Sequence, residues 1–105
     1  MEEILKVIKA SLEKIPGIYA AFTHGSFLGN PQDPGEGIDI IVIGDPDLHE
    51  LDEIISDTEE KVGRAIHVLS YTLNEFRQRI TVKDEAVTGA VEGPKVILIG
   101  TFPLP

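Results

Sequence analysis

The chain has 105 residues, 42% of them hydrophobic, with 18 Asp and Glu against 9 Lys and Arg, a formal charge of −9 and no Cys. The length suits one domain, residues 1–105, and the apolar fraction is that of a folded chain rather than a disordered one. The charge argues against duplex DNA as a direct partner, because its phosphates are met largely by Lys and Arg; the missing Cys excludes disulfides, thiolate nucleophiles, Cys-ligated zinc and iron–sulfur clusters.

Ile4, Val7, Ile8, Leu12 and Ile15 recur at three- and four-residue intervals and predict an opening helix that Pro16-Gly17 stops. Ile18 to Phe22 is a short β-type run leading into His24-Gly25-Ser26. The stretch from Gly29 to Gly37 holds three Gly and two Pro and reads as a loop. Ile38 to Ile43 is almost wholly β-branched, the pattern of a strand buried on both faces, with one carboxylate, Asp39, set into it.

Asp47 and Glu50 have the spacing of a helix cap, and the helix they open carries Leu48, Leu51, Ile54, Ile55 and Val62 on one face before Gly63 closes it. Ala65 to Tyr71 is a further strand candidate. Thr72 and Glu75 repeat the capping pattern before a short helix through Phe76 to Arg79, Asp84 to Val91 is a weakly marked helical segment, and Lys95 to Ile99 is a last strand before a tail from Thr101 to Pro105. No apolar run approaches the ~20 residues that cross a bilayer, and the acidic Met1-Glu2-Glu3 does not read as a signal peptide. A cytoplasmic protein with no membrane partner is the expectation.

Two features carry chemistry. Gly25-Ser26 follows a strand directly, and such a turn can aim backbone N–H groups and a hydroxyl at a phosphate, although Gly-Ser is also an ordinary turn pair. Asp39 lies 13 residues beyond Ser26, between Ile38 and Ile40. A carboxylate there costs several kcal/mol unless it is paired, metal-bound or placed at a strand end. The plain reading is a strand-start residue hydrogen-bonded to the loop; the sharper one is a metal-binding or catalytic acid.

Together these segments resemble the nucleotidyltransferase superfamily that includes DNA polymerase beta, and especially its minimal stand-alone members. Gly25-Ser26-Phe27-Leu28-Gly29-Asn30 stands where that family has Gly-Ser-x-Ala-Arg-Gly, and Gly37-Ile38-Asp39-Ile40-Ile41-Val42 where it has Asp-Ile-Asp-Leu-Leu-Val. Gly63-Arg64-Ala65-Ile66-His67-Val68-Leu69 is similar to the segment that carries the third acid, and Tyr71-Thr72-Leu73-Asn74-Glu75-Phe76 and Glu92 to Gly100 resemble later segments of related domains. The resemblance implies an α/β fold: a mixed sheet of about four strands, with helices packed mainly on one face and a cleft on the other. It also implies Gly25 and Ser26 as nucleotide-binding residues, Asp39 as the catalytic and metal-binding acid, Mg²⁺ and an NTP as cofactors, and a protein partner in trans, either a helical HEPN-type protein or a DNA-binding regulator.

The departures are specific. Asp-x-Asp presents two carboxylates side by side on one strand face, and with a third from the next strand they hold two Mg²⁺ ions. Here Gly37 stands at the first acid, His67 at the third and Gly29 at the loop Arg, so one carboxylate of three remains. Glu36 is set aside as a replacement because adjacent strand residues face opposite sides, while Asp33 sits in a loop from which it could swing in. The expected function is therefore a nucleotide-binding or partner-binding module with a degraded metal site. The alternative is an active Mg²⁺-dependent enzyme that transfers NMP from an NTP to a protein or small-molecule hydroxyl.

His24 and His67 flank the Asp39 strand and could join it around Zn²⁺ or Fe²⁺; the plainer reading is two polar residues at a cleft rim. Ser26 with a histidine as nucleophile and base lacks an orienting group other than Asp39 and an oxyanion hole. His49 and the acids of its helix read as a solvated face, and Arg64, Arg77, Arg79 and Lys83 as a basic cluster.

Overall fold

The computed structural model describes residues 2–33 and 35–101. In chain order the elements are α1 (Glu2–Glu13), β1 (Ile18–His24), a 3-10 turn (Ser26–Gly29), β2 (Ile38–Gly44), α2 (Leu48–Val62), β3 (Ile66–Tyr71), α3 (Leu73–Thr81), α4 (Glu85–Glu92) and β4 (Lys95–Ile99). The strands form one mixed sheet in the order β3-β2-β1-β4. β1 runs antiparallel to β2 and to β4, whereas β2 and β3 are parallel and joined by the α2 crossover, as a parallel pair requires.

Local chemistry accounts for the element ends. The Asp47 side chain accepts from the Glu50 N–H at 3.0 Å and starts α2; Gly63, at φ 69°, ends it in the left-handed conformation. Thr72 and Glu75 form a reciprocal capping box at the head of α3. Asp84 caps α4 through the Val87 N–H, so the weakly marked segment is a true helix; only Val87 and Ala90 of its side chains are buried, too few for a clear period.

The sheet separates two apolar layers. On one face Leu5, Ile8 and Leu12 of α1 and Leu51 and Ile55 of α2 pack on Ile38, Ile40 and Val42 of β2 and their neighbours. On the other, Phe76 of α3 and Val87 and Ala90 of α4 pack on Ala20, Phe22, Ile41 and Ile43. The two longer helices thus cover one face, while the two short ones cover part of the second. β2 is buried on both sides, as its composition requires.

Most element ends differ from the sequence reading by one or two residues, and the difference at the end of β1 bears on the site. β1 runs on to His24 because pairing with β2 and β4 continues that far, and the chain then makes a 3-10 turn before the loop. The tail from Phe102 to Pro105 lies outside the described residues. No helix among the described residues is long and apolar enough to cross a membrane.

Candidate functional site

The second face is open where α3 and α4 stop. Cross-strand register places His24 opposite Asp39, Asp39 opposite His67, and His24 opposite Lys95. One residue from each of the four strands therefore stands in a single row, His67–Asp39–His24–Lys95, beyond the apolar pair Phe22 and Ile41. Asp39 and His24 are half-buried. Burial pushes His24 below its ordinary value of 6.5, against the opposing attraction of Asp39. Buried Thr23 donates its hydroxyl to the Asp39 carbonyl at 3.0 Å and ties β1 to β2 at this point.

The turn after β1 closes on the row. Gly25 has φ 91° and ψ −165°, a conformation open to glycine and strained for other residues. A Cβ there would stand 3.1 Å from Asp39 Oδ2, so the Asp39 carboxylate lies against the glycine backbone. Ser26, the next residue, is exposed and is thereby brought to the same end of the sheet as Asp39. Its hydroxyl donates to Glu36 Oε1.

That last bond gives Glu36 a partner other than a metal, and it replaces the reason for which Glu36 was set aside, though not the outcome. Strand alternation does not govern it, because β2 begins only at Ile38; residues 35–37 are irregular, and the side chain turns to the Gly-Ser turn. The flanking Gly35 and Gly37 were the signal in the sequence that this stretch is not regular strand.

A family model described as a nucleotidyltransferase domain matches residues 3–89. The chain belongs to the nucleotidyltransferase domain family. Solved structures share the fold: a toxin–antitoxin with AMP-PNP aligns over 93% of this chain and 74% of its own, at 21% identity and TM-score 0.65. A MntA–HpeT toxin–antitoxin carrying two Asp→Glu substitutions aligns over 92% of this chain and 72% of its own, at 20% identity and TM-score 0.58; a form carrying a Tyr→Ala substitution gives the same coverage at 21% identity and TM-score 0.59. At such identities the likeness is one of fold. No curated protein sequence matches the chain.

For this nucleotidyltransferase-family domain, the three positions that the resemblance assigns to acids do come together, but with other chemistry. His67 stands opposite Asp39 in register, and a Cβ on Gly37 would stand 3.1 Å from His67 Nε2 and 3.2 Å from its Cδ2. The imidazole lies over the space where a first carboxylate would project. Mg²⁺ asks for hard oxygen donors in near-octahedral array, and these three positions offer one carboxylate. They do not fit a two-Mg²⁺ centre. Among the described residues, no group of three or more His, Asp and Glu side chains gathers as a metal site, which also leaves the Zn²⁺ or Fe²⁺ arrangement unmade.

Other candidates are committed elsewhere. The Ser26 proton goes to Glu36 rather than to a histidine, so no nucleophile–base pair is built. Arg64 donates through Nη2 to the Pro31 carbonyl and lies 5.1 Å over the ring of Phe27, itself buried in the 3-10 turn. It braces the loop against the turn that carries Ser26, a role that sequence reasoning, which grouped it with distant bases, missed. Arg79 instead meets Asp84 at 3.1 Å. The two do not act as one basic cluster. His49 is exposed and meets Glu53 at 2.8 Å, in keeping with a solvated face.

Proposed function

We propose that this nucleotidyltransferase-family domain binds the phosphates of a nucleoside triphosphate at Gly25 and Ser26 beside Asp39, without two-metal transfer chemistry, and works with a protein partner supplied in trans. The observation that carries the reading is the glycine turn laid against the Asp39 carboxylate. It places the exposed Gly25 and Ser26 at the end of the sheet that carries the row, where backbone N–H groups and a hydroxyl of the kind that meets phosphate oxygens can be reached, while Gly37 and His67 leave a single acid where transfer needs more. The structural neighbours are toxin–antitoxin proteins, one of them solved with AMP-PNP, which supports both a nucleotide ligand and a protein partner. A HEPN-type partner is the finer form of that proposal.

The rival reading, an active transferase in which Asp39 holds Mg²⁺ and Asp33 completes the site, meets an obstacle in the loop. Asp33 Oδ1 accepts from the Gly35 N–H at 2.9 Å, and Oδ2 from Asn30 Nδ2 at 3.4 Å. Its carboxylate organises the turn. The deciding experiment is calorimetric titration of ATP, GTP, CTP and UTP with Mg²⁺ and with EDTA, on the parent chain, Ser26→Ala and Asp39→Ala. The expected result is metal-independent binding weakened several-fold by Ser26→Ala. Binding that requires Mg²⁺ and vanishes in Asp39→Ala restores the enzyme reading, and no binding to any nucleotide, by the parent chain or by Glu36→Ala, removes the ligand altogether and leaves a partner-binding module.

A further inference from the structure

We propose that Glu36 is an internal occupant of the phosphate position at Ser26, a carboxylate that an incoming triphosphate has to displace and that sets the affinity of the site. The inference rests on the phosphate-binding reading above and names the residue that regulates it. Ser26 has one hydroxyl proton, and Glu36 Oε1 accepts it. A carboxylate oxygen and a phosphate oxygen are the same kind of acceptor for that proton, so the two compete for one donor.

Bonds within the loop hold Glu36 near the turn. The Glu36 N–H donates to the Asp33 carbonyl at 3.1 Å, the Gly35 N–H to Asp33 Oδ1 at 2.9 Å, and the start of the loop is held by Arg64 on the Pro31 carbonyl. Asp39 against Gly25 and Glu36 on Ser26 thus put a carboxylate beside each of the two turn residues, and a polyanion approaching the turn meets both charges. Release is cheap, since Ser26 is exposed and Glu36 only half-buried; an exposed, charge-assisted bond of this kind contributes little net stability, because water replaces it readily. Glu36 therefore acts as a plug that yields to a competing anion.

The test is titration of ATP, and separately of inorganic triphosphate, in EDTA against the parent chain, Glu36→Gln, Glu36→Ala and Glu36→Ala combined with Ser26→Ala, with Ser26→Ala alone as the reference for the last. Removing the carboxylate in Glu36→Ala raises affinity by about fivefold, the factor that corresponds to one exposed hydrogen bond no longer having to be broken before a phosphate takes the Ser26 proton. Glu36→Gln gains less, because its amide oxygen still accepts from Ser26, and in the Ser26→Ala background the gain from Glu36→Ala disappears. Equal gains in Gln and Ala variants mean through-space repulsion and overturn the occupancy. Unchanged or weaker binding in Glu36→Ala, with the parent chain binding normally, overturns the plug while leaving the phosphate site standing. Absence of binding in every form, Glu36→Ala included, overturns both; binding that first emerges in Glu36→Ala supports both.

Discussion

On one face of the sheet, side chains from β3 across to β4 join a closed apolar layer beneath α1 and α2. On the other, α3 and α4 cover Ala20, Phe22, Ile41 and Ile43 and then stop, so the next row carries two imidazoles, a carboxylate and an ammonium. The edges of the covered row are bare as well: Leu69 is 46% and Ile97 37% exposed. Both faces are read from the same strands, two residues apart in alternation. The difference lies in how far the helices reach. A strand as apolar as β2 tolerates Asp39 because that residue sits at the start of the strand on the less covered face, where water still reaches it.

The comparison is broken most severely from the closed face. Ile40→Ala removes a side chain that is 1% exposed and is expected to cost about 3 kcal/mol in urea unfolding. Its neighbour on the opposite side, Asp39→Asn, should stay within about 1 kcal/mol, the range of substitutions outside the packed core. Equal losses at the two positions would show that the open end is as much a part of the core as the closed face.

The next effect sharpens the site itself. Gly25→Ala forces a Cβ into a positive-φ backbone and against Asp39 Oδ2, and is expected to cost about 1–3 kcal/mol. Part of that cost returns in the Asp39→Ala background, where the steric partner is gone, while the backbone strain remains. A double-mutant cycle measures the coupling; strict additivity would separate the turn from the acid.

The smallest effect is electrostatic. Burial lowers the pKa of His24 in the folded state, so the unfolded chain takes up its proton first as the solution is acidified. The contribution of His24 is fully present above pH ~6.5 and is lost as pH falls through its folded value. Unfolding free energy should therefore decline on acidification through this range, and His24→Asn should flatten the decline in a pH series of urea titrations. Asp39 and Lys95 are its register neighbours, and Asp39→Asn should steepen the decline, because it removes the group that favours the charged imidazole.

Much of this arrangement was legible in residue order. The caps at Asp47 and Thr72, the glycine stop at Gly63 and the β-branched run of β2 depend on interactions within a few residues, and they stand where the spacing puts them. The Gly25-Ser26 turn and the lone acid of β2 were equally visible. The contact of Glu36 with Ser26 was missed because a periodic rule was carried beyond the strand to which it applies. Arg64 was grouped by charge, whereas its partners, Pro31 and Phe27, lie far back in the chain and could not be seen from its surroundings.

The amino-acid order alone determined which segments become helix or strand and which glycines and acids mark the turn, because backbone propensity, capping and hydrophobic period act over a few neighbouring residues. Tertiary structure decided that Lys95, His24, Asp39 and His67 form one row, that the His67 ring covers Gly37, and that Glu36 reaches Ser26. The row follows from strand order and register, which are set by hydrogen bonding and packing between segments distant in the chain, His24 to Lys95 being its longest step, and the Glu36 contact follows from how the loop folds back on the turn.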